Sequence, residues 1–371
     1  MSITVTKPFL PPYSEYQAYI RAIWERERLT NNGPLVNDLE LKLKEHLAVD
    51  HLLFVCNGTT AIQMAIRALD LRGEIITTPF SHVATTASIV WQNCQPVMVD
   101  ICPKTLNIDP NKIEQAITRQ TSAILATHVF GNPCDVESIG AIAKRRGLRV
   151  IYDAAHAFGT QHQGRSLLVH GDIATCSFHA TKLFHTIEGG AVITSDVELM
   201  KRMAIMRNFG HVSATEFGDV GTNGKNSEMH AAMGLCNLRY IQPILDVRRR
   251  LSERYAARLA GLPVGFQEIA AHAQYNYAYL PVIFEDEAVL LKTLDQLNSN
   301  SVHPRRCFYP SLSKLPYVTR QSTPIADQVS PRVLCLPLYH TLSLEDVDMI
   351  CELIKRSMQK NGSDRECDSP H

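Results

Sequence analysis

The 371-residue chain has no surplus of either charge: lysine plus arginine and aspartate plus glutamate number 37 each, and the formal net charge at pH 7 is zero. Without a basic excess, nothing draws it electrostatically to nucleic acid or to an anionic membrane. No apolar run approaches the length that spans a bilayer. The opening residues, MSITVTKPFLPPYSEYQ, lack a charged-then-apolar leader pattern, and a cytoplasmic location is expected. None of the ten cysteines forms a C-x-x-C pair, and several lie inside apolar runs such as CSF and LCLPL. Reduced, mostly buried thiols are expected, with no metal site. A phosphate-binding P-loop is also missing: at Gly224-Lys225-Asn226-Ser227, Asn226 interrupts the Lys-Ser pair and Asp219 stands in place of the first glycine. There is no internal repeat.

Short apolar runs rich in β-branched residues alternate with helical stretches. The runs are LLFV (52–55), EIITT (74–78), PVMVD (96–100), SAILATHVF (122–130), RVIYDAA (149–155), IATCSF (173–178) and AVITS (191–195). Helical patterns lie at 59–71, 82–93, 109–117 and 135–147. This alternation predicts an α/β fold whose mostly parallel central sheet is covered on both faces, over residues 35–240. One long helix is predicted at 227–259. A smaller α+β unit is expected over 241–358, with a strand at 277–284 and helices at 287–298 and 343–358. The segment 1–34 is expected to pack on that unit and on the active site, and the polar tail 359–371 to be disordered.

In open α/β sheets ligands gather at the carboxyl ends of the strands. After LLFV, Gly58 and Thr59 stand where a strand turns into a helix, a geometry suited to an anion, although a plain N-cap accounts for them equally. Asp153 ends a strand, where a buried carboxylate needs a cationic partner, a cap or a salt bridge. His156 follows it and could orient that acid or a ligand hydroxyl. His82 opens a helix and could lay a flat ring on a planar ligand. Lys182, between two apparent strands in SFHATKLFHTIEGG, is on its own an ordinary surface lysine. Together these are the parts that pyridoxal 5'-phosphate requires: an amine to hold its aldehyde, an acid for its ring nitrogen, an anion site and something planar.

The chain resembles the nucleotide-sugar aminotransferases of the DegT/DnrJ/EryC1/StrS family up to about residue 358. The resemblance is carried by LTNNGP (29–34), CNGTTA, TTPFSHVATT, DICPKTLNID (100–109), HVFGNPCD (128–135), YDAAHAFGT, SFHATK, EGGAVIT and GTNGKNSEMHAAMGL (221–235). It implies the fold-type I, aspartate aminotransferase-like architecture and pyridoxal 5'-phosphate as cofactor, passing through a pyridoxamine phosphate form. By the resemblance Lys182 holds the cofactor aldehyde, Asp153 pairs with the pyridine nitrogen, and Gly58, Thr59 and Ser177 hold the phosphate. His82 stands where relatives stack Phe, Tyr or Trp, and His156 lies on the cofactor's hydroxyl side. Lys225 or Asn226 would reach the phosphate of a neighbouring subunit in a homodimer with shared sites. Asn31, Glu188, Arg305 and Tyr309, with Arg306 nearby, are implied on the substrate side.

The implied reaction moves the amino group of L-glutamate to a nucleotide-linked ketosugar, dTDP-4-keto-6-deoxy-D-glucose above others, for O-antigen or glycan biosynthesis. Three alternatives stay open at this point: amination at C3 of a dTDP-3-keto-6-deoxysugar, a sugar dehydratase, and a non-catalytic binding or regulatory protein. The dehydratases of this family lack the lysine, and Lys182 is present.

Overall fold

The computed structural model describes residues 2–359. The polar tail therefore lies, from residue 360 on, outside the described residues. Seven strands form the central sheet: β1 (His51–Val55), β2 (Glu74–Thr77), β3 (Gln95–Met98), β4 (Thr121–Thr127), β5 (Arg149–Asp153), β6 (Ile173–Ser177) and β7 (Gly190–Thr194). Their order is β1-β7-β6-β5-β4-β2-β3. The β6-β5-β4-β2-β3 pairings are parallel, while β7 runs antiparallel to both its neighbours. This is the α/β sheet that the continuous apolar runs predict.

Both faces are buried because the strands are apolar on both sides. On one face, the helices Pro34–Leu47, Val136–Arg146 and Glu228–Leu238 contribute Leu39, Leu43, Ile139 and Ala231 to a core with Phe54, Ile124 and Tyr152. On the other, the helices Gly58–Ala68 and Val197–Arg207 contribute Met64, Ile66, Met203 and Met206 against Val55, Leu125 and Ile151. Side-chain caps start several of these helices: Asn57 accepts from the Thr60 N–H at 2.8 Å, and Asp135 from that of Ser138 at 2.9 Å.

A second, antiparallel sheet has the order Val264–Phe266, Leu280–Phe284, Val333–Leu336, Arg305–Arg306. The helices Ile241–Leu259, Glu287–Ser299 and Leu344–Met358 cover it around Tyr255, Phe284 and Ile350. The N-terminus joins this part of the molecule, since Ile3–Thr4 pairs in parallel with Val302–His303.

The structure corrects the sequence reading at several places. The stretch 227–259 is two helices, Glu228–Leu238 and Ile241–Leu259, rather than one. At the break, the N–H groups of Arg239 and Tyr240 fold back on Cys236 and Asn237 in a turn. The strand predicted over 122–130 ends at Thr127; beyond it, Asn107 captures the Val129 N–H at 2.9 Å and Phe130 takes φ 58°. The helix Tyr13–Arg26 has no counterpart in the sequence reading. Of its residues only Ile23 is fully buried, with Tyr16, Tyr19 and Ile20 packed partly buried against the same core. Polar contacts add to this, including Tyr16 Oη to the Met229 carbonyl at 3.3 Å and Arg239 to Glu15 at 3.2 Å. No helix among the described residues is long and apolar enough to cross a membrane.

Candidate active site

A cavity of about 610 Å³ opens at the carboxyl ends of β1, β5 and β6, closed from the other side by the segment 305–315. Its floor is built by close backbone approach. A β-carbon on Gly190 would stand 2.5 Å from the Asn57 carbonyl carbon and 2.7 Å from the Gly58 nitrogen. One on Gly58 would stand 2.9 Å from the Ser177 β-carbon. Only glycine lets β7 and the start of the helix Gly58–Ala68 come together here. The first N–H groups of that helix have no helical acceptor, and Thr59 and Ser177 add hydroxyls beside them, making a cradle for an anion.

Asp153 closes β5 and lines the same cavity, 4 % exposed. Its Oδ1 accepts from the Ala155 N–H at 3.1 Å and its Oδ2 from the Thr85 hydroxyl at 2.7 Å. His156 lies beside a cluster of aromatic rings, parallel to Phe308 (5.8 Å between centroids) and Phe130 (6.1 Å), with Tyr279 at 4.8 Å. Its Nδ1 is buried without a hydrogen-bond partner among the described residues. Burial, then the nearby charges of Lys182 and His82, keep its pKa well below the ordinary histidine value.

Lys182 sits in the loop between β6 and β7, over the strand ends, with its Nζ 5.9 Å from the centre of the Tyr279 ring. Its side chain is half-buried and lines the cavity. Burial lowers its pKa to about 8; Asp153 and the Cys307 thiol oppose that shift and Arg305 assists it. His82 caps the helix Val83–Trp91, its Nδ1 accepting from the Ala84 N–H at 3.3 Å. That bond puts the proton of the neutral ring on Nε2. Burial first, and then Lys182, lower its pKa below the ordinary value.

On the opposite wall, Arg305 faces the cavity, and no carboxylate pairs with it among the described residues. Arg306 is committed elsewhere: it pairs with Glu287 at 2.6 Å and lies 3.6 Å over the Tyr309 ring. Glu188 also lines the wall, 3.5 Å from His179.

The structure thus brings Gly58, Thr59, His82, Asp153, His156, Ser177, Lys182, Glu188, Arg305 and Tyr309 to one cavity. It does not bring Asn31, Lys225 or Asn226 there. Asn31 is exposed in a loop at φ 61°, and Lys225 lies over Phe209, 4.5 Å from the ring centre. Asn226 spends its amide within its own chain, donating to the Glu188 carbonyl at 2.9 Å and accepting from the Ser227 N–H at 2.8 Å. Sequence reasoning missed Thr85, Ser81, Cys307, Phe308 and Tyr279. The first two lie inside TTPFSHVATT, where nothing in the spacing distinguishes a hydroxyl that serves a carboxylate from one that only caps.

The sheet, the cavity at its carboxyl edge and the lysine loop over it define a fold-type I transferase of the aspartate aminotransferase-like class. The model of the DegT/DnrJ/EryC1/StrS aminotransferase family matches residues 13–355, and the chain belongs to that family. It is 40 % identical over 361 residues to a dTDP-4-amino-4,6-dideoxy-D-glucose transaminase of Shigella dysenteriae, covering 95 % of this chain and 98 % of that one. A transaminase of the same name from Escherichia coli is 38 % identical over 370 residues, with 96 % and 99 % covered. Among solved structures, that of DesI in the presence of its TDP-sugar product superposes with a TM-score of 0.91 at 32 % identity, covering 96 % of this chain and 92 % of that one.

Proposed function

We propose that the protein transfers the amino group of L-glutamate to C4 of dTDP-4-keto-6-deoxy-D-glucose, giving dTDP-4-amino-4,6-dideoxy-D-glucose and 2-oxoglutarate. The observation that carries this reading is the 40 % identity, over nearly the full length of both chains, with a transaminase named for that product. The similarity to DesI, whose product is a TDP-sugar, agrees with it. We further assign residues 35–240 to the cofactor-binding unit and 241–358 to a smaller one, a division supported by the seven-stranded and four-stranded sheets falling on either side of it. A homodimer, a cytoplasmic location and a role in O-antigen biosynthesis belong to the same proposal.

Pyridoxal 5'-phosphate suits the residues present. The glycine-walled cradle fits a phosphate, the buried His156 Nδ1 has no partner among the described residues, and the pKa of Lys182 is lowered to about 8. In this proposal the N–H groups of Gly58 and Thr59, with the Ser177 hydroxyl, hold the phosphate. Asp153 takes the ring nitrogen, His82 lies on the ring and His156 orients its hydroxyl. Lys225 and Asn226 would serve a second copy of the chain, and Asn31 would complete the substrate side. When bound, the cofactor supplies an aldehyde for the amino group and a ring that draws electrons from the carbon losing its proton.

The chain's own residues supply the rest. The lowered pKa of Lys182 makes its amine available as a nucleophile near pH 8. The same Nζ can take the proton from the α-carbon of glutamate and, in the reverse sense, deliver one to C4 of the sugar. A flexible primary amine can do both; an arginine there could not. Arg305 offers a guanidinium to the carboxylates of the donor or to the diphosphate of the acceptor. Tyr279, 5.9 Å from Lys182 Nζ and packed against Phe130, gives that side of the cavity an aromatic wall.

The test is to incubate purified protein with the cofactor, L-glutamate and dTDP-4-keto-6-deoxy-D-glucose, and to identify the amino sugar and 2-oxoglutarate by mass spectrometry. The dTDP-3-keto isomer and the UDP- and GDP-linked 4-ketosugars are run in parallel. Conversion of one of these in place of the dTDP-4-ketosugar would overturn the substrate assignment, and conversion of none would overturn the aminotransfer.

A further inference from the structure

Asp153 does not meet the protein through a single bond. Its Oδ2 accepts from Thr85 Oγ1 at 2.7 Å; Thr85 Oγ1 lies 2.9 Å from Ser81 Oγ; and Ser81 Oγ accepts from Thr127 Oγ1 at 3.0 Å. All four side chains are buried, none more than 4 % exposed. They come from three separate strand ends. Thr127 closes β4 and stands in register with Asp153 on β5, while Ser81 and Thr85 lie in the turn after β2 and the first turn of the helix Val83–Trp91.

The direction of this chain is forced. A carboxylate can only accept, so the single proton of Thr85 goes to Asp153. Ser81 must then donate to Thr85, and Thr127 to Ser81. Every hydroxyl gives one proton toward the carboxylate and, after the first, receives one from behind. Aligned hydrogen bonds in a low-dielectric interior polarise one another in the same sense. Such pairing is not automatic here, because Thr86 and Ser88 on the same helix bury hydroxyls with no partner among the described residues. The chain ends at Thr127 beneath the site, so it holds a charge in place and does not conduct a proton to solvent.

We propose that Thr127, Ser81 and Thr85 form a hydroxyl relay that fixes the Asp153 carboxylate for the ring nitrogen of the cofactor, with Thr85 as the positioning residue; this rests on the assignment of Asp153 to that nitrogen. One oxygen is held by Thr85 and the other by the Ala155 N–H, and the remaining acceptor capacity faces the cavity. Removing the Thr85 hydroxyl leaves the carboxylate with one donor fewer and free to turn about its Cβ–Cγ bond.

The experiment reads the cofactor rather than turnover. Apoprotein is titrated with pyridoxal 5'-phosphate carrying 15N in its ring, following the dissociation constant by fluorescence and the state of the ring nitrogen by its 15N shift. Thr85→Val is expected to weaken binding roughly tenfold, the size expected for a hydrogen bond to a charged group, and to move the 15N shift toward the unprotonated ring. Thr85→Ser, which keeps the hydroxyl, is expected to restore both. Ser81→Ala and Thr127→Val are expected to give the same changes in decreasing size. Thermal melting of each apoprotein separates loss of fold from loss of positioning.

Asp153→Asn is the control for the underlying assignment. If it leaves the 15N shift unaltered, the assignment of Asp153 fails and the relay fails with it. If it moves the shift but Thr85→Val does not, the relay alone is overturned. Equal effects of Thr85→Val and Thr85→Ser would also overturn it, because the hydroxyl would then be irrelevant.

Discussion

The carboxyl group of Glu228 occupies the space that a side chain on Gly33 would need. A β-carbon there would lie 2.4 Å from Glu228 Cδ. Glu228 is fully buried, and its two oxygens accept from the N–H groups of Leu35 at 3.0 Å and Val36 at 2.9 Å. It therefore caps the helix Pro34–Leu47 from a distant part of the chain, with Arg26 3.6 Å away. This contact joins the LTNNGP and NSEMH motifs, which the sequence displays separately. A carboxylate at a helix N-terminus meets both the free N–H groups and the positive end of the helix. Glu228→Gln, which turns one acceptor into a donor facing those N–H groups, is expected to destabilise the apoprotein by about 3 kcal/mol. Urea denaturation checks this, and an unmoved midpoint would refute it.

Lys182 sets a pH dependence for cofactor capture. Burial lowers its folded pKa to about 8 from an ordinary 10.5. The neutral amine is the reactive form, so the rate of capture is expected to rise with pH and level off above about 8, as followed by stopped-flow absorbance. The effect on stability has the same sign. Between about pH 8 and 10.5 the unfolded chain keeps a proton that the folded chain has released. Folding thus becomes more favourable as pH rises through that window, and the cost of burying the ammonium is fully present below it. Lys182→Ala is expected to remove this part of the pH dependence of melting. Its persistence in the variant would assign it to another group.

His82 is expected to act as a flat neutral ring. Burial first, and then the charge of Lys182, hold its pKa below the ordinary 6.5, which favours the neutral ring. His82→Phe keeps the plane and is expected to hold affinity within about threefold, whereas His82→Ala loses roughly tenfold, the scale of one stacked ring pair. Equal losses in both variants would point to the Nδ1 cap on Ala84, not the plane, as the contribution of His82.

The cradle makes Gly190 intolerant of a side chain. The added carbon of Gly190→Ala would meet backbone at Asn57 and Gly58 rather than the flexible end of a side chain, so β7 and the helix start must separate. Binding of inorganic phosphate and of the cofactor are both expected to weaken at least tenfold, together with a loss of stability on the scale of core overpacking, about 1–3 kcal/mol. Isothermal titration with each ligand tests this. Unchanged phosphate affinity would show that the anion is held elsewhere.

The strands and most helices of the central sheet were legible because β-branched apolar runs and helical periods alternate cleanly. Gly58 and Asp153 were legible because strand ends in an α/β sheet converge, whereas Lys182 stood out only in combination with them and Ser177 only through the family resemblance. The helix Tyr13–Arg26 was missed because its apolar stripe, Tyr16, Tyr19, Ile20 and Ile23, is short and mostly half-buried, and polar contacts through Glu15 and Tyr16 share in holding it. The turn at Arg239–Tyr240 was hidden because the apolar residues on either side continue in helical spacing across it. The relay through Ser81, Thr85 and Thr127 was out of reach for a different reason: it depends on which hydroxyls three distant segments bring within 3 Å of one another. No local pattern carries that information.

The antiparallel course of β7 has a consequence for how the chain matures. β1, near the start of the sheet-forming sequence, has β7 as its one neighbour among the described residues, pairing residues 51–55 with 190–194. Such a pairing closes a very long loop, and contacts of that separation form late in folding. The anion cradle lies across that seam, with Gly58 on one side and Ser177 and Gly190 on the other. A nascent chain that has emerged only as far as β6 can already present Asp153, but it has no closed cradle for a phosphate. The anion cradle therefore closes only when the last strand of the sheet to be synthesised pairs with the first.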